Sequence, residues 1–77
     1  MADDIRNTEL KTRVKETEST EEAITRYMVR NGFETETFTD GKGLTHRYFS
    51  NNEYSQLWIG TTNFNGKSVT FTIEGNK

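Results

Sequence analysis

The sequence predicts a small α+β domain in which one helix, at about residues 20–31, packs on an antiparallel β-meander of three to four strands. Two observations favour this class. Residues 19–33 have a helical apolar period with a start and a stop signal, and residues 33–74 alternate with period two between glycine and asparagine clusters. Seventy-seven residues are enough for one domain. We therefore divide the chain into a charged N-terminal segment, residues 1–18, and a single α+β domain, residues 19–77.

The helix has signals at both ends. Ser19 and Glu22 have the spacing of a capping box, in which each side chain accepts the backbone N–H of the other residue. Gly32 suits the left-handed position that ends a helix, and Phe33 can then fold back on Met28. The helix has a single apolar stripe that needs a sheet to cover, formed by Ala23, Ile24, Tyr27 and Met28.

The strands are predicted at residues 33–39, 44–50, 54–62 and 67–74, joined by short connections. Asn65-Gly66 favours a two-residue type I′ hairpin, and this register places Trp58 opposite Ile73 on the core face. Leu57 and Ile59 then lie on the other face.

The two earlier strands are less constrained. A two-residue turn at Asn51-Asn52 places Leu44, His46 and Tyr48 on the same side as Leu57 and Ile59, whereas a loop that includes Glu53 reverses this. With the shorter turn, the second face carries an apolar patch around His46, which we interpret as a partner-binding surface. The predicted partner-binding residues are Leu44, His46, Tyr48, Leu57 and Ile59.

The N-terminal segment, residues 1–18, has Ile5, Leu10 and Val14 as its sizeable apolar side chains. It is predicted to be either a charged helix, helped by a Glu9–Arg13 pair, or a flexible arm that orders on binding. A further alternative is that residues 5–14 fold back as a second helix and bury the second face of the sheet.

Composition excludes several classes of site. The chain has no Cys and one His, so we expect no disulfide, no zinc site and no cofactor. A net charge of −2 provides no general attraction to nucleic acid or anionic lipid. The sequence has no long apolar run and no signal peptide, so we expect a cytoplasmic protein that does not enter membranes, in the host cytoplasm if it is phage-encoded.

One resemblance points to an enzyme. The run from Ile24 to Phe33, the strand after it and the run from Gly43 to Phe49 resemble the layout of HicA-type RNA-cleaving toxins, over about 26 residues. In those toxins a helix that ends in glycine and an aromatic residue leads through a strand to a glycine and a catalytic histidine. The resemblance implies His46 as that histidine. The chain lacks the paired histidine of those toxins and is acidic where they are basic.

We expect a noncatalytic protein-binding domain, with a protein partner and self-association into a homodimer as the two expected interactions. Its small size, its acidity and the absence of Cys and Pro are similar in general character to phage-encoded inhibitors of host or defence proteins, anti-CRISPR proteins among them. The alternatives are the RNA-cleaving toxin that uses His46 and a small nucleic-acid-binding regulator.

Overall fold

The computed structural model describes residues 5–76, which form one helix and one five-stranded antiparallel sheet. The elements are β1 (Glu9–Arg13), α1 (Thr20–Arg30), β2 (Glu34–Thr39), β3 (Thr45–Ser50), β4 (Gln56–Phe64) and β5 (Ser68–Asn76). The strand order is β1-β5-β4-β3-β2. The α+β class and the meander from β2 to β5 are confirmed, and the expectation of three to four strands is corrected to five.

The helix has the predicted caps. The Ser19 hydroxyl accepts the Glu22 N–H at 3.1 Å, and the Glu22 carboxylate accepts the Ser19 N–H at 3.3 Å. At the other end Gly32 has a φ of +91°, and the Phe33 N–H donates to the Met28 carbonyl at 3.1 Å, which is the Schellman pattern. Because β1 and β2 lie at opposite edges of the sheet, the chain must cross the sheet between them, and α1 lies in that crossing.

The N-terminal segment is neither a helix nor a free arm where the structure describes it. Residues Glu9–Arg13 form β1, which pairs with β5 from Glu9–Thr72 to Arg13–Ser68. Leu10 and Thr12 point toward the core while their neighbours are exposed, so the period is two. Residues 1–4 of the predicted segment lie outside the described residues.

The β4–β5 hairpin turns one residue later than predicted. The Asn65 N–H donates to the Ser68 carbonyl at 3.1 Å, so Gly66 and Lys67 are the two loop residues. Gly66 has a φ of +92°, and the Asn65 side chain accepts the N–H groups of Lys67 and Ser68 at 3.1 and 2.8 Å. The amide of Asn65 thus stabilises the turn from outside the loop. This shift moves the pairing by two residues and alone would leave the predicted faces unchanged.

A β-bulge in β4 changes the faces. Thr62 pairs with Phe71, but the next pair toward the N-terminus of β4 is Ile59 with Ile73, so β4 has one extra residue there. Leu57 and Ile59 consequently lie on the same side as Ile73, and Trp58 lies on the opposite side. The predicted placement of Trp58 in the core and of Leu57 and Ile59 on the second face is therefore wrong.

The core lies between α1 and one side of the sheet. The Tyr27 and Phe71 rings meet edge to face, with centroids 5.6 Å apart. Ile5, Leu10 and Val14 pack against the same core, which explains why the chain returns to the sheet edge before α1. The buried core side chains are Ala23, Ile24, Met28, Phe33, Phe49, Tyr54, Leu57, Val69, Phe71 and Ile73.

Candidate binding site on the open face of the sheet

The far face is the side of the sheet turned away from α1, and within residues 5–76 neither a helix nor a second sheet lies over it. Arg47 identifies the two sides of the β2–β3 hairpin, because its guanidinium bonds Glu21 of α1 at 3.3 Å and Thr35 at 3.1 Å. The positions that alternate with Arg47 and Thr35 along the two strands, such as His46 and Phe38, therefore lie on the far face. The predicted second helix over this face is wrong, since residues 9–13 form β1.

Five side chains form an aromatic patch on the far face. Phe38 stacks on His46, with centroids 5.0 Å apart and an interplanar angle of 24°. The Phe38 and Tyr48 rings lie 6.1 Å apart at 53°. Phe38 is 49% exposed and Trp58 is 38% exposed, which is high for aromatic side chains of this size. The aromatic patch consists of Phe38, Leu44, His46, Tyr48 and Trp58.

Two carboxylates hold the rings of the β2–β3 hairpin in place. Asp40 Oδ2 lies 2.7 Å from His46 Nε2, while Asp40 Oδ1 accepts the backbone N–H groups of Lys42 and Leu44 at 2.8 and 3.0 Å. The hydrogen bond to His46, followed by those two N–H groups, lowers the pKa of Asp40. The Tyr48 hydroxyl donates to the Glu36 carboxylate, which raises the pKa of Tyr48. His46 and Tyr48 are thus each oriented by an acidic neighbour.

A cleft opens beside the aromatic patch, because β3 and β4 share a single register pair, Phe49–Leu57, in the described part of the chain. The cleft has a volume of about 570 Å³. It extends from buried side chains under α1 to the rings of the aromatic patch. Its apolar and aromatic lining comes from Ile24, Phe38, Tyr48, Phe49, Trp58 and Ile59. The patch is therefore a concave surface at its β3–β4 boundary, where a protruding side chain can enter.

The structure divides the five predicted partner-binding residues into two groups. Leu44, His46 and Tyr48 lie together on the far face, with Leu44 58% exposed. Leu57 is completely buried under α1, and Ile59 is half-buried against the same core. Leu57 therefore has no accessible surface to offer a partner, and Ile59 contributes only where it lines the cleft.

Phe38, Trp58 and Asp40 are the functional candidates that sequence reasoning missed. Phe38 pairs with His46 across the β2–β3 hairpin, because Asp40 bonds Leu44 and leaves a three-residue loop at 41–43. The predicted strands at 33–39 and 44–50 would instead place Phe38 opposite Thr45. Asp40 lies six residues before His46 in the sequence, and only the β2–β3 hairpin brings their side chains into contact. Trp58 could not be placed from sequence, because the bulge that turns it outward has Gly60 as its one local signal.

The one side-chain hydrogen bond that His46 makes among residues 5–76 is to Asp40, so no second acid or base is aligned with it there. No group of three or more His, Cys, Asp or Glu side chains within the described range is placed to hold a metal ion. None of the helical structure described is long and apolar enough to cross a membrane.

Comparison with protein-family models, curated proteins and solved structures gives no match.

Proposed function

We propose that this chain is a noncatalytic protein-binding domain that uses the aromatic patch to occupy the surface of a protein partner. The observation that carries this proposal is the set of rings in contact on an uncovered sheet face, in which exposed Phe38 stacks on exposed His46 and half-buried Tyr48 lies beside Phe38. Exposed apolar patches of this kind are typical of interaction sites. Aromatic side chains also dominate the energetics of protein interfaces.

The fixed geometry of the patch supports the same proposal. The side chains of His46 and Tyr48 are held by Asp40 and Glu36, so binding costs little additional side-chain entropy at these two positions. The cleft beside them gives the patch a concave part that can enclose an anchor side chain of a partner. An exposed cluster without such supports would have to order itself on binding.

The class of protein that this proposal favours is a small inhibitor, of the kind that phages and mobile elements encode to block host or defence proteins. Its support is the acidic composition together with the preformed binding face in the described part of the chain. Such an inhibitor works in the cytoplasm of the host cell. It needs no catalytic group, because covering a functional surface of the partner is sufficient.

The test compares two phenylalanines of similar exposure. Phe38 belongs to the aromatic patch, whereas Phe64 is 52% exposed near the end of β4, opposite Val69 on the helix side of the sheet. The partner is captured from lysate with the wild-type protein, identified and purified, and its affinity is then measured for the Phe38→Ser and Phe64→Ser variants. We expect Phe38→Ser to weaken binding at least about tenfold, as for an interface anchor. Equal affinities for Phe38→Ser and the wild-type protein would overturn the proposal.

The same variants also distinguish a homodimer from a different partner. If the occupant of the patch is a second copy of this chain, the wild-type protein has the mass of a dimer in solution. Phe38→Ser then has the mass of a monomer, while Phe64→Ser remains dimeric. A monomeric wild-type protein assigns the patch to a different protein.

A second candidate function, RNA cleavage by His46, is favoured by one observation. The bond of 2.7 Å to Asp40 orients the imidazole, as a carboxylate does for a histidine base. This function predicts that the purified wild-type protein cleaves RNA and that His46→Ala abolishes cleavage. A wild-type protein that leaves RNA intact excludes this candidate without affecting the binding proposal.

A further inference from the structure

The far face carries an exposed carboxylate directly beside Trp58. Trp58 and Glu74 are register partners across β4 and β5, so their side chains lie on the same face with their β-carbons about 5 Å apart. Glu74 is exposed and forms no ion pair within residues 5–76. It differs in this respect from Glu36 and Asp40, which bond Tyr48 and His46.

Gly60 allows the Glu74 side chain to lie along the sheet. A β-carbon added at Gly60 would lie 2.9 Å from Glu74 Cδ and 3.1 Å from Glu74 Cγ. The same β-carbon would lie 2.8 Å from Thr72 Oγ1, which accepts the Thr61 N–H at 2.9 Å in the bulge. Because Gly60 has no side chain, the carboxyl group of Glu74 can lie close to the β4 backbone at Gly60, two residues from Trp58 in the same strand.

The charges around the aromatic patch are mainly negative. Glu36, Asp40 and Glu74 adjoin its rings, and Lys42 lies in the β2–β3 turn. Arg47 also lines the cleft, but its guanidinium bonds Glu21 and Thr35 on the helix side. The basic residues of β1 on this face are separated from β4 by the whole of β5. A cationic group is therefore attracted to this half of the far face.

We propose that the patch recognises an arginine side chain of the partner, seated on the Trp58 ring with its guanidinium bonded to Glu74, so that the partner presents an arginine-rich segment. This inference rests on the proposed function. Arginine fits better than lysine, because a planar guanidinium stacks on an aromatic ring and donates two parallel hydrogen bonds to one carboxylate. The attraction of the cation to the ring adds to the ion pair.

The probe for this site is an oligoarginine peptide, with an oligolysine peptide of equal length as its control. Trp58 is the single tryptophan of the chain, so its fluorescence reports occupancy of the proposed site directly. We expect saturable quenching by oligoarginine and binding about two- to fivefold weaker for oligolysine, because an ammonium lacks the planar stacking and the paired hydrogen bonds of a guanidinium. Added salt should weaken the binding of both peptides, since the interacting charges are exposed.

The decisive variant is Glu74→Gln, matched with Glu16→Gln. Both substitutions remove one negative charge from an exposed position, but Glu16 lies in the connection between β1 and α1, outside the sheet. We expect Glu74→Gln to weaken oligoarginine binding about two- to fivefold and Glu16→Gln to leave it nearly unchanged. An equal effect of the two variants would show general charge attraction and overturn the inference, as would unchanged Trp58 emission at saturating oligoarginine.

The failure of this inference differs from the failure of the proposed function. If oligoarginine does not bind at Trp58 while Phe38→Ser still loses the purified partner, the patch is a binding surface for a different chemistry. If Phe38→Ser retains the partner, the proposed function itself is wrong, whatever the peptides do.

Discussion

Truncation of Leu57 tests the bulge in β4, because this bulge determines whether residue 57 or residue 58 faces α1. Leu57 is 0% exposed, so Leu57→Ala removes three buried carbons, at about 0.8 kcal/mol each, and leaves a cavity under α1. The expected loss in the free energy of unfolding is about 3 kcal/mol. A domain of this length has roughly 4 to 12 kcal/mol in total, so the variant should remain folded without urea.

Leu44→Ala is the matched control, because it is the same chemical change at a position that is 58% exposed. Its expected cost is under about 1 kcal/mol, since less than half of the side chain is buried and no closed cavity forms. Urea denaturation followed by circular dichroism measures both variants. At a slope of about 1 kcal/mol per molar urea, the midpoint of Leu57→Ala falls by about 3 M. Equal midpoints for the two variants would refute the bulged register and favour the one in which Leu57 lies on the far face.

Three further predictions concern stability. Gly75 has a φ of +138°, and a β-carbon there would lie 2.2 Å from the Gln56 carbonyl oxygen. Gly75→Ala should therefore lower the free energy of unfolding by more than about 1 kcal/mol. Gly41→Ala, whose β-carbon meets nothing within 4 Å, should be nearly neutral in the same urea assay. Ser19→Ala removes the helix cap and should cost about 1 kcal/mol; a change within error would contradict the role of the capping box. The Arg26 hydrogen bond, with the Lys15 N–H next, lowers the pKa of Glu18 to about 2, so this carboxylate stabilises the fold above its unfolded pKa of 4.5 and loses that effect as the pH falls through about 2. Glu18→Gln should therefore lose less stability than the wild-type protein between these two pH values, and parallel pH profiles of the urea midpoint would be evidence against this pair.

The helix was predictable from sequence because its determinants are local. The capping box needs only Ser19 and Glu22, and the Schellman end needs only Gly32 and its neighbours. Each signal acts within a few residues, so no tertiary information is needed to find it. The structure confirms both ends of α1 to within one residue.

The strand register was not predictable, because it depends on one inserted residue. The Asn65-Gly66 pair correctly indicates a hairpin, but the loop consists of Gly66 and Lys67. The bulge between Ile59 and Thr62 then exchanges the faces of the N-terminal half of β4. Gly60 is compatible with a bulge, with a close backbone approach and with an ordinary strand, so it does not identify the change on its own.

β1 shows the limit of composition as a guide. In Glu9–Arg13 every second side chain is charged, and the two that point inward are Leu10 and Thr12. With so few apolar residues, the period of two is not recognisable as a strand pattern in the sequence. An edge strand of this kind is recognised by the open edge of β5 that it covers, which only the folded sheet provides. The same limit applies to the site. His46 and Tyr48 could be grouped from one hairpin, but Trp58 joins their face because the β3–β4 connection pairs Phe49 with Leu57, so the predicted two-residue turn at Asn51-Asn52 is wrong. The bulge then turns this face away from Ile73.

Trp58 lies on the open face of the sheet, in the strand next to Tyr48, and the accessibility of its fluorescence tests this central placement most directly. Trp58 is the one tryptophan of the chain, so acrylamide quenching of the folded protein reports this position alone. We predict that acrylamide quenches Trp58 efficiently in the free protein and that a bound partner protects it, while quenching of the Phe64→Ser variant matches that of the wild-type protein. A tryptophan that is protected in the free, folded, monomeric protein would contradict the account, because it would place Trp58 in the core.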